Sequence, residues 1–272
     1  MASYKDQRRI NAVETEGFDN LEIWERTVPD LPKLYEAARA IASQFDALIE
    51  RANVKDSGEA RISACLCLTI GEQFYATLCL LEGHCETHAP GPIRSMLEGL
   101  ADLINLLNDP AYLGQLKYEN AKSDATLFDE YAQVPDIATS DEIVATLNAW
   151  KQRAGPLRDE LYAKGFRKLP AEKKFEMAGL HDDYVAYRVL CAFVHTSVTS
   201  LIARHGDVQP MLRYRDVAAP EQVVSFLNVA VECLGRTLVN LPKFTDLNDA
   251  EIQAVVAQAR TTWLAAIDTQ AS

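Results

Sequence analysis

From Leu34 onward, apolar residues recur at three- and four-residue steps in segments that prolines open or close, and no alternating run convincing enough for a strand intervenes. A chain patterned this way must pack helix on helix, burying one stripe per segment. The first stripe is Leu34, Ala37, Ala38, Ile41, Phe45 and Leu48, behind Pro29 and Pro32. The next segment, about Glu59 to Glu86, carries apolar residues on most faces, Ile62, Cys65, Leu68, Phe74 and Leu78 among them, and is expected to run through the middle of the fold. Pro90-Gly91-Pro92 breaks it, and Pro92 fits the first turn of a third helix from Pro92 to Leu107, which Asn108-Asp109-Pro110 stops. Further helices are expected from about Ala111 to Tyr131 and, after a proline-containing loop, from Ser140-Asp141-Glu142 to about Lys164, with Gly155-Pro156 as a candidate kink. A short segment follows Pro170, then a helix from about His181 to Arg204, terminated by Gly206 and Pro210, and two more near Pro220–Leu241 and Asn248–Ile267. The expected fold is all-α, a bundle of about seven to nine helices with no significant sheet. It forms one domain over residues 29–269, behind a polar arm over residues 1–28.

With 272 residues, 48% of them hydrophobic and 24% charged, the chain can bury a substantial core. Its uninterrupted apolar stretches are shorter than the roughly 20 residues that span a bilayer. Met1 to Ile10 is polar and carries Lys5, Arg8 and Arg9 without a following apolar region, so neither a membrane span nor a secretory signal is expected and the cytoplasm is the expected compartment. The cysteines Cys65, Cys67, Cys79, Cys85, Cys191 and Cys233 mostly sit in apolar helical stretches, as small hydrophobes rather than a disulfide framework. A net charge of −12 argues against indiscriminate coating of nucleic acid. One stretch runs the other way: between Lys151 and Lys174, eight basic residues face Asp159, Glu160 and Glu172 alone. Arg158, Lys164, Arg167 and Lys168 are its candidate phosphate-docking residues, against the plainer reading of a solvated helix face.

Tyr184, Arg188, Cys191 and His195 fall at steps of four, three and four, on one helical stripe that Val198 and Ile202 continue. A phenol, a guanidinium and an imidazole on one stripe either meet polar partners from another helix or line a cleft. Arg94 and Glu98, one turn apart with Asp102 a turn further on, are candidates for those partners.

The segment from Arg94-Ser-Met-Leu-Glu98 to Asn108-Asp-Pro110, followed by Tyr187-Arg-Val-Leu-Cys-Ala-Phe-Val-His195-Thr-Ser197, resembles a bacterial all-helical family of unknown function. The resemblance covers roughly Arg61 to His205. That family is distantly similar to the HEPN superfamily, many of whose members are metal-independent ribonucleases with an arginine and a histidine separated by four to six residues. Arg188 and His195 fit that spacing, with Val189 where active members commonly carry a polar residue. The resemblance implies His195 as general acid or base and Arg188 as the stabiliser of a pentacoordinate phosphorus, with Arg94, Glu98, Tyr184, Tyr187 and Ser197 as a supporting polar core. Seven residues of helix separate the pair by about 10 Å, so a twofold homodimer would bring one copy's arginine beside the other's histidine.

His84, Cys85 and His88 offer nitrogen and sulfur donors at the end of the second helix, fewer than the four ligands of a structural zinc site. No nucleotide-binding glycine loop, nucleophile elbow or His-Glu-x-x-His motif is present, and no cofactor is expected. The leading expectation is an RNA- or nucleotide-directed HEPN-like protein, a metal-independent endoribonuclease in defence or stress response. The other is a non-catalytic module that binds a protein or small ligand around a structural polar core.

Overall fold

A computed structural model describes residues 29–131, 133–135, 140–195, 197–205 and 218–268. The expected polar arm, much of the loop before Ser140, and the Gly206 and Pro210 stops lie outside the described residues. The architecture is all-α. Eleven α-helices are described: α1 (Leu31–Ile49), α2 (Gly58–Glu82), α3 (Pro90–Asn108), α4 (Tyr112–Tyr131), α5 (Asp141–Ala163), α6 (Ala171–Met177), α7 (His181–Val194), α8 (Val198–His205), α9 (Pro220–Val239), α10 (Leu241–Phe244) and α11 (Asp249–Asp268). Among the described residues there is no strand beyond one isolated bridge between Val54 and Thr245. Beside it the Asp246 carboxylate accepts the backbone N–H of Asn53 at 2.9 Å and its side-chain amide at 2.8 Å.

The helices begin where capping chemistry puts them. Asp30 accepts the Lys33 N–H at 3.2 Å and Ser57 the Ala60 N–H at 3.0 Å, each satisfying a donor that the first turn leaves free. Ser140 occupies the N-cap of α5 without making such a bond, so there only Asp141 and Glu142 favour the helix start. Pro156 does not split α5, which continues to Ala163. Gln152, whose carbonyl would have taken the missing N–H, lies on the exposed side, where water can satisfy it.

The centre of the bundle is α3, which packs against α2, α6, α7 and α9. Ile93, Met96, Leu97, Leu100 and Leu103 are buried along it. The expectation that α2 runs through the middle is corrected: it buries a single stripe, Ala60, Ser63, Cys67, Ile70, Phe74, Leu78 and Leu81, and turns Ile62, Cys65, Leu68 and Tyr75 outward. Apolar content was high on all its faces, but only one phase of it faces α3. By length and composition both α2 and α9 could cross a membrane; here each gives one face to the core. Gly71 lets α1 approach α2 closely, since a Cβ there would stand 2.5 Å from the Phe45 ring.

Helices α4 and α5 form an antiparallel hairpin with a small core of their own, Ala125, Phe128 and Ala154 with Leu147 against them. At its base Phe166 packs over Gly114, where a Cβ would stand 2.4 Å from the ring. The helix expected over His181–Arg204 is two helices. Ser197 caps α8 by accepting the Ser200 N–H at 3.1 Å, and the Ser200 hydroxyl donates to the carbonyls of His195 at 2.7 Å and Ser197 at 2.9 Å. These local bonds compete with helix continuation and turn the chain at His195, whose ψ is 143°.

Candidate functional site

The chemistry-bearing side chains gather where α3, α4, α6 and α7 meet. Arg94 and Glu98 lie one turn apart on α3, and the guanidinium donates to the carboxylate at 2.9 Å. The Tyr187 hydroxyl, on α7, donates to the same Glu98 oxygen at 2.8 Å and accepts from Arg94 at 3.3 Å. Three side chains thus close a ring around one carboxylate oxygen. Burial pushes the Tyr187 phenol up to about 12, against the pull of Arg94, so it remains a donor at neutral pH. Burial alone would depress the Arg94 guanidinium, but Tyr187 and Glu98 raise it, and Arg94 stays a cation.

One turn along α3, Asp102 enters a second network. Lys174 of α6 reaches Asp102 at 3.1 Å and Glu119 of α4 at 2.7 Å, with all three side chains about four-fifths buried. The Tyr112 hydroxyl donates to Asp102 at 2.7 Å. Glu119 also accepts from the Gln115 amide at 2.7 Å and the Leu169 N–H at 3.1 Å. Burial raises the Asp102 carboxyl despite Lys174 and Tyr112. Burial would raise Glu119 as well, but Lys174, Gln115 and Leu169 together hold it below the usual carboxylate range. Between the two networks lies a cavity of about 490 Å³, lined by Glu98, Asp102, Glu119, Lys168, Lys174 and Tyr187 among others.

Arg188 and His195 are not part of this buried assembly. Both are exposed. Arg188 lies with its guanidinium carbon 5.9 Å from the centre of the Tyr184 ring, and a hydrogen bond with Tyr184 raises its already high pKa. Tyr184 in turn stacks on Tyr187, centroids 5.9 Å apart and planes 19° from parallel, so one aromatic pair joins the exposed arginine to the Arg94–Glu98 ring. Close to Arg188 and His195 in the chain, Val185 and Val189 of α7 and Val198 and Ile202 of α8 are exposed apolar residues, Val198 at 72% exposure. The stripe expected to run unbroken from Tyr184 to Ile202 ends at His195, because α7 does.

Two placements need correcting. Ser197 caps α8 and does not join the Arg94 and Glu98 network, because its hydroxyl is taken up with the Ser200 N–H. The basic stretch is not an open strip: Lys151 pairs with Asp129, Arg158 with Asp159 at 2.8 Å, Lys164 with Glu160 at 2.6 Å and Lys173 with Glu176 at 2.9 Å. Arg167 stacks on Tyr162, its guanidinium carbon 3.4 Å from the ring centre, and donates to the carbonyls of Tyr162 and Phe166. Of the four candidate docking residues, Lys168 has no partner among the described residues and lies at the 490 Å³ cavity.

His84, Cys85 and His88 are not drawn into one coordination sphere. His84 has a positive φ of 56° and faces Glu86 at 3.6 Å, and no group of three or more His, Cys, Asp or Glu side chains suited to a metal comes together among the described residues. The role of Glu119 was invisible in the sequence, since Lys174 follows it 55 positions later on a separate helix. The one local signal was Gln115 a turn before it, the spacing of an i,i+4 pair.

Neither the curated proteins nor the solved structures contain a match to the chain. A family model does match, over residues 60–210, from the third residue of α2 through the whole of α8, and so includes every residue of both networks and the Arg188–His195 pair. The chain belongs to the family of unknown function DUF5677.

Proposed function

We propose that the protein is a HEPN-like RNA-cleaving enzyme of the cytoplasm that works as a twofold homodimer. The observation that carries this reading is that Arg188 and His195 are both exposed at the end of α7, close in the chain to the exposed apolar residues Val185, Val189, Val198 and Ile202. A second copy seated over them would shield them and bring two guanidiniums and two imidazoles to one axis. One imidazole takes the proton of a ribose 2′-hydroxyl as its oxygen attacks phosphorus. The other gives a proton to the departing 5′-oxygen, leaving a cyclic phosphate and a 5′-hydroxyl. Arg188 places its forked donors on the developing phosphorane charge, and its position against Tyr184 fixes the direction from which it reaches. The Arg94–Glu98–Tyr187 ring supports that aromatic platform from beneath.

The test is cleavage of a panel of structured and single-stranded RNAs in EDTA by the wild-type protein and by His195→Ala and Arg188→Ala variants of verified fold. Loss of one positioned acid–base group costs about 10²- to 10⁴-fold in rate. Cleavage by the wild type that falls by that factor in His195→Ala supports the reading; no cleavage by the wild type, or equal cleavage by the variant, overturns it. A second reading, a non-catalytic binding module, is favoured by a different observation. The Arg94–Glu98–Tyr187 ring is complete without a ligand, and the 490 Å³ cavity beside it is within the usual size of a small-molecule site.

A further inference from the structure

The hairpin α4–α5 carries a second cavity, of about 370 Å³, with no residue in common with the networks above. Phe128 and Leu157 give it an apolar floor and flank, Trp150 a large aromatic wall, and Asn120, Asp124 and Arg153 its polar edge. Trp150 meets Phe128 edge-on, centroids 5.4 Å apart and planes at 64°, yet 53% of it is exposed. The hairpin core is closed by Phe128, Ala125 and Ala154, so much of the indole surface serves no packing. The polar edge is also unfinished. Asn120 donates its amide to one oxygen of Asp124 at 3.0 Å. Asp124 and Arg153 line the same cavity without pairing, and Arg153 has no partner among the described residues, whereas its neighbours Lys151 and Arg158 are paired.

An open aromatic face beside a carboxylate with no cationic partner, one oxygen of which meets only the Asn120 amide, and a guanidinium without a partner among the described residues is complementary to a flat heterocycle with donors on one edge and acceptors on another. Guanine fits best: its N1–H and N2 amino group can donate to a carboxylate, and its O6 and N7 accept the fork of an arginine. Adenine and cytosine offer a carboxylate a single amino group and uracil a single ring N–H; none of the three presents two adjacent donors. We propose that the α4–α5 cavity binds one unpaired guanine base, stacked on Trp150 and read by Asp124 and Arg153. That the base comes from RNA rests on the ribonuclease reading; the pocket itself does not. A partner helix lying along Ile143, Trp150 and Leu157 would use the same exposed residues, but it would leave the two opposite charges of the cavity unmatched.

The experiment titrates the full chain with GMP, AMP, CMP and UMP, and with short unpaired RNAs containing or lacking a single guanine, following tryptophan fluorescence and calorimetry. GMP is expected to bind more tightly than the other three. Trp150→Ala should weaken it roughly 5- to 150-fold, the value of one base stacked on an aromatic side chain. Asp124→Asn, which keeps the side chain's shape, should abolish the preference for guanine. Tighter binding of the guanine-containing RNA than of GMP would identify RNA as the source; equal or weaker binding would identify a free guanine nucleotide. Absence of GMP binding, or binding unchanged in both variants, overturns the pocket, as does a self-association that Trp150→Ala abolishes while GMP has no effect. His195→Ala separates the two claims: loss of RNA cleavage with GMP binding intact leaves both standing. GMP binding without RNA cleavage by the wild type removes only the ribonuclease.

Discussion

Replacing Lys174 by methionine would keep the length of the side chain and remove the cation that holds Asp102 and Glu119 together. In the native protein the ammonium lies 3.1 Å from one carboxylate and 2.7 Å from the other, and the three side chains are 17%, 18% and 21% exposed. Removing one member of a fully buried charge pair costs about 3–5 kcal/mol. The residual exposure lets water screen the two carboxylates left behind, so the expected loss is nearer 2–4 kcal/mol, about 5–12 °C in Tm for a domain of this size. The pH dependence identifies the cause. Without the lysine, each carboxylate is buried beside a like charge and its pKa rises above the unfolded value, so the loss is greatest at neutral pH and shrinks as the groups are protonated toward pH 4. In the native protein Glu119 has the opposite sign: its pKa is depressed, and its contribution is present above the usual glutamate range and fades as pH falls through its lowered value. Thermal melts of both proteins from pH 4 to pH 8 decide the matter. A loss below about 0.5 kcal/mol, or one that does not change with pH, would refute the argument that Lys174 is an electrostatic clamp between α3, α4 and α6.

Gly71→Ala should lower stability by about 1–3 kcal/mol, because the new methyl would stand 2.5 Å from the Phe45 ring in a packed α1–α2 contact; a chemical denaturation midpoint unchanged from wild type would show that the ring moves freely. Ser197→Ala removes the cap of α8 and is expected to cost about 1 kcal/mol and to speed hydrogen exchange at the Ser200 amide, with exchange in α3 little affected.

The sequence by itself determined the helical class and most of the helix ends, because periodicity, prolines and capping residues are local properties. Asp30, Ser57 and Pro90 act within a few residues of where they stand. It offered Glu98 either Arg94, one turn away, or Arg188 of α7 as a partner, and it put Tyr184 on the facing stripe; the tertiary structure takes Arg94 and brings Tyr187 to Glu98 instead. It did not show the break at His195. The apolar pattern of Val198 and Ile202 continues the stripe in phase, whereas the local bonds of Ser197 and Ser200 end α7 there and start α8. Which face of α2 is buried was decided by α3, which contacts only one of several apolar phases. The cluster of Lys174 with Asp102 and Glu119, and the cavity between α4 and α5, belong wholly to the tertiary structure. They join residues tens of positions apart, on helices whose relative placement depends on the packing of Phe166 over Gly114 and of α6 against α3, not on any spacing along the chain.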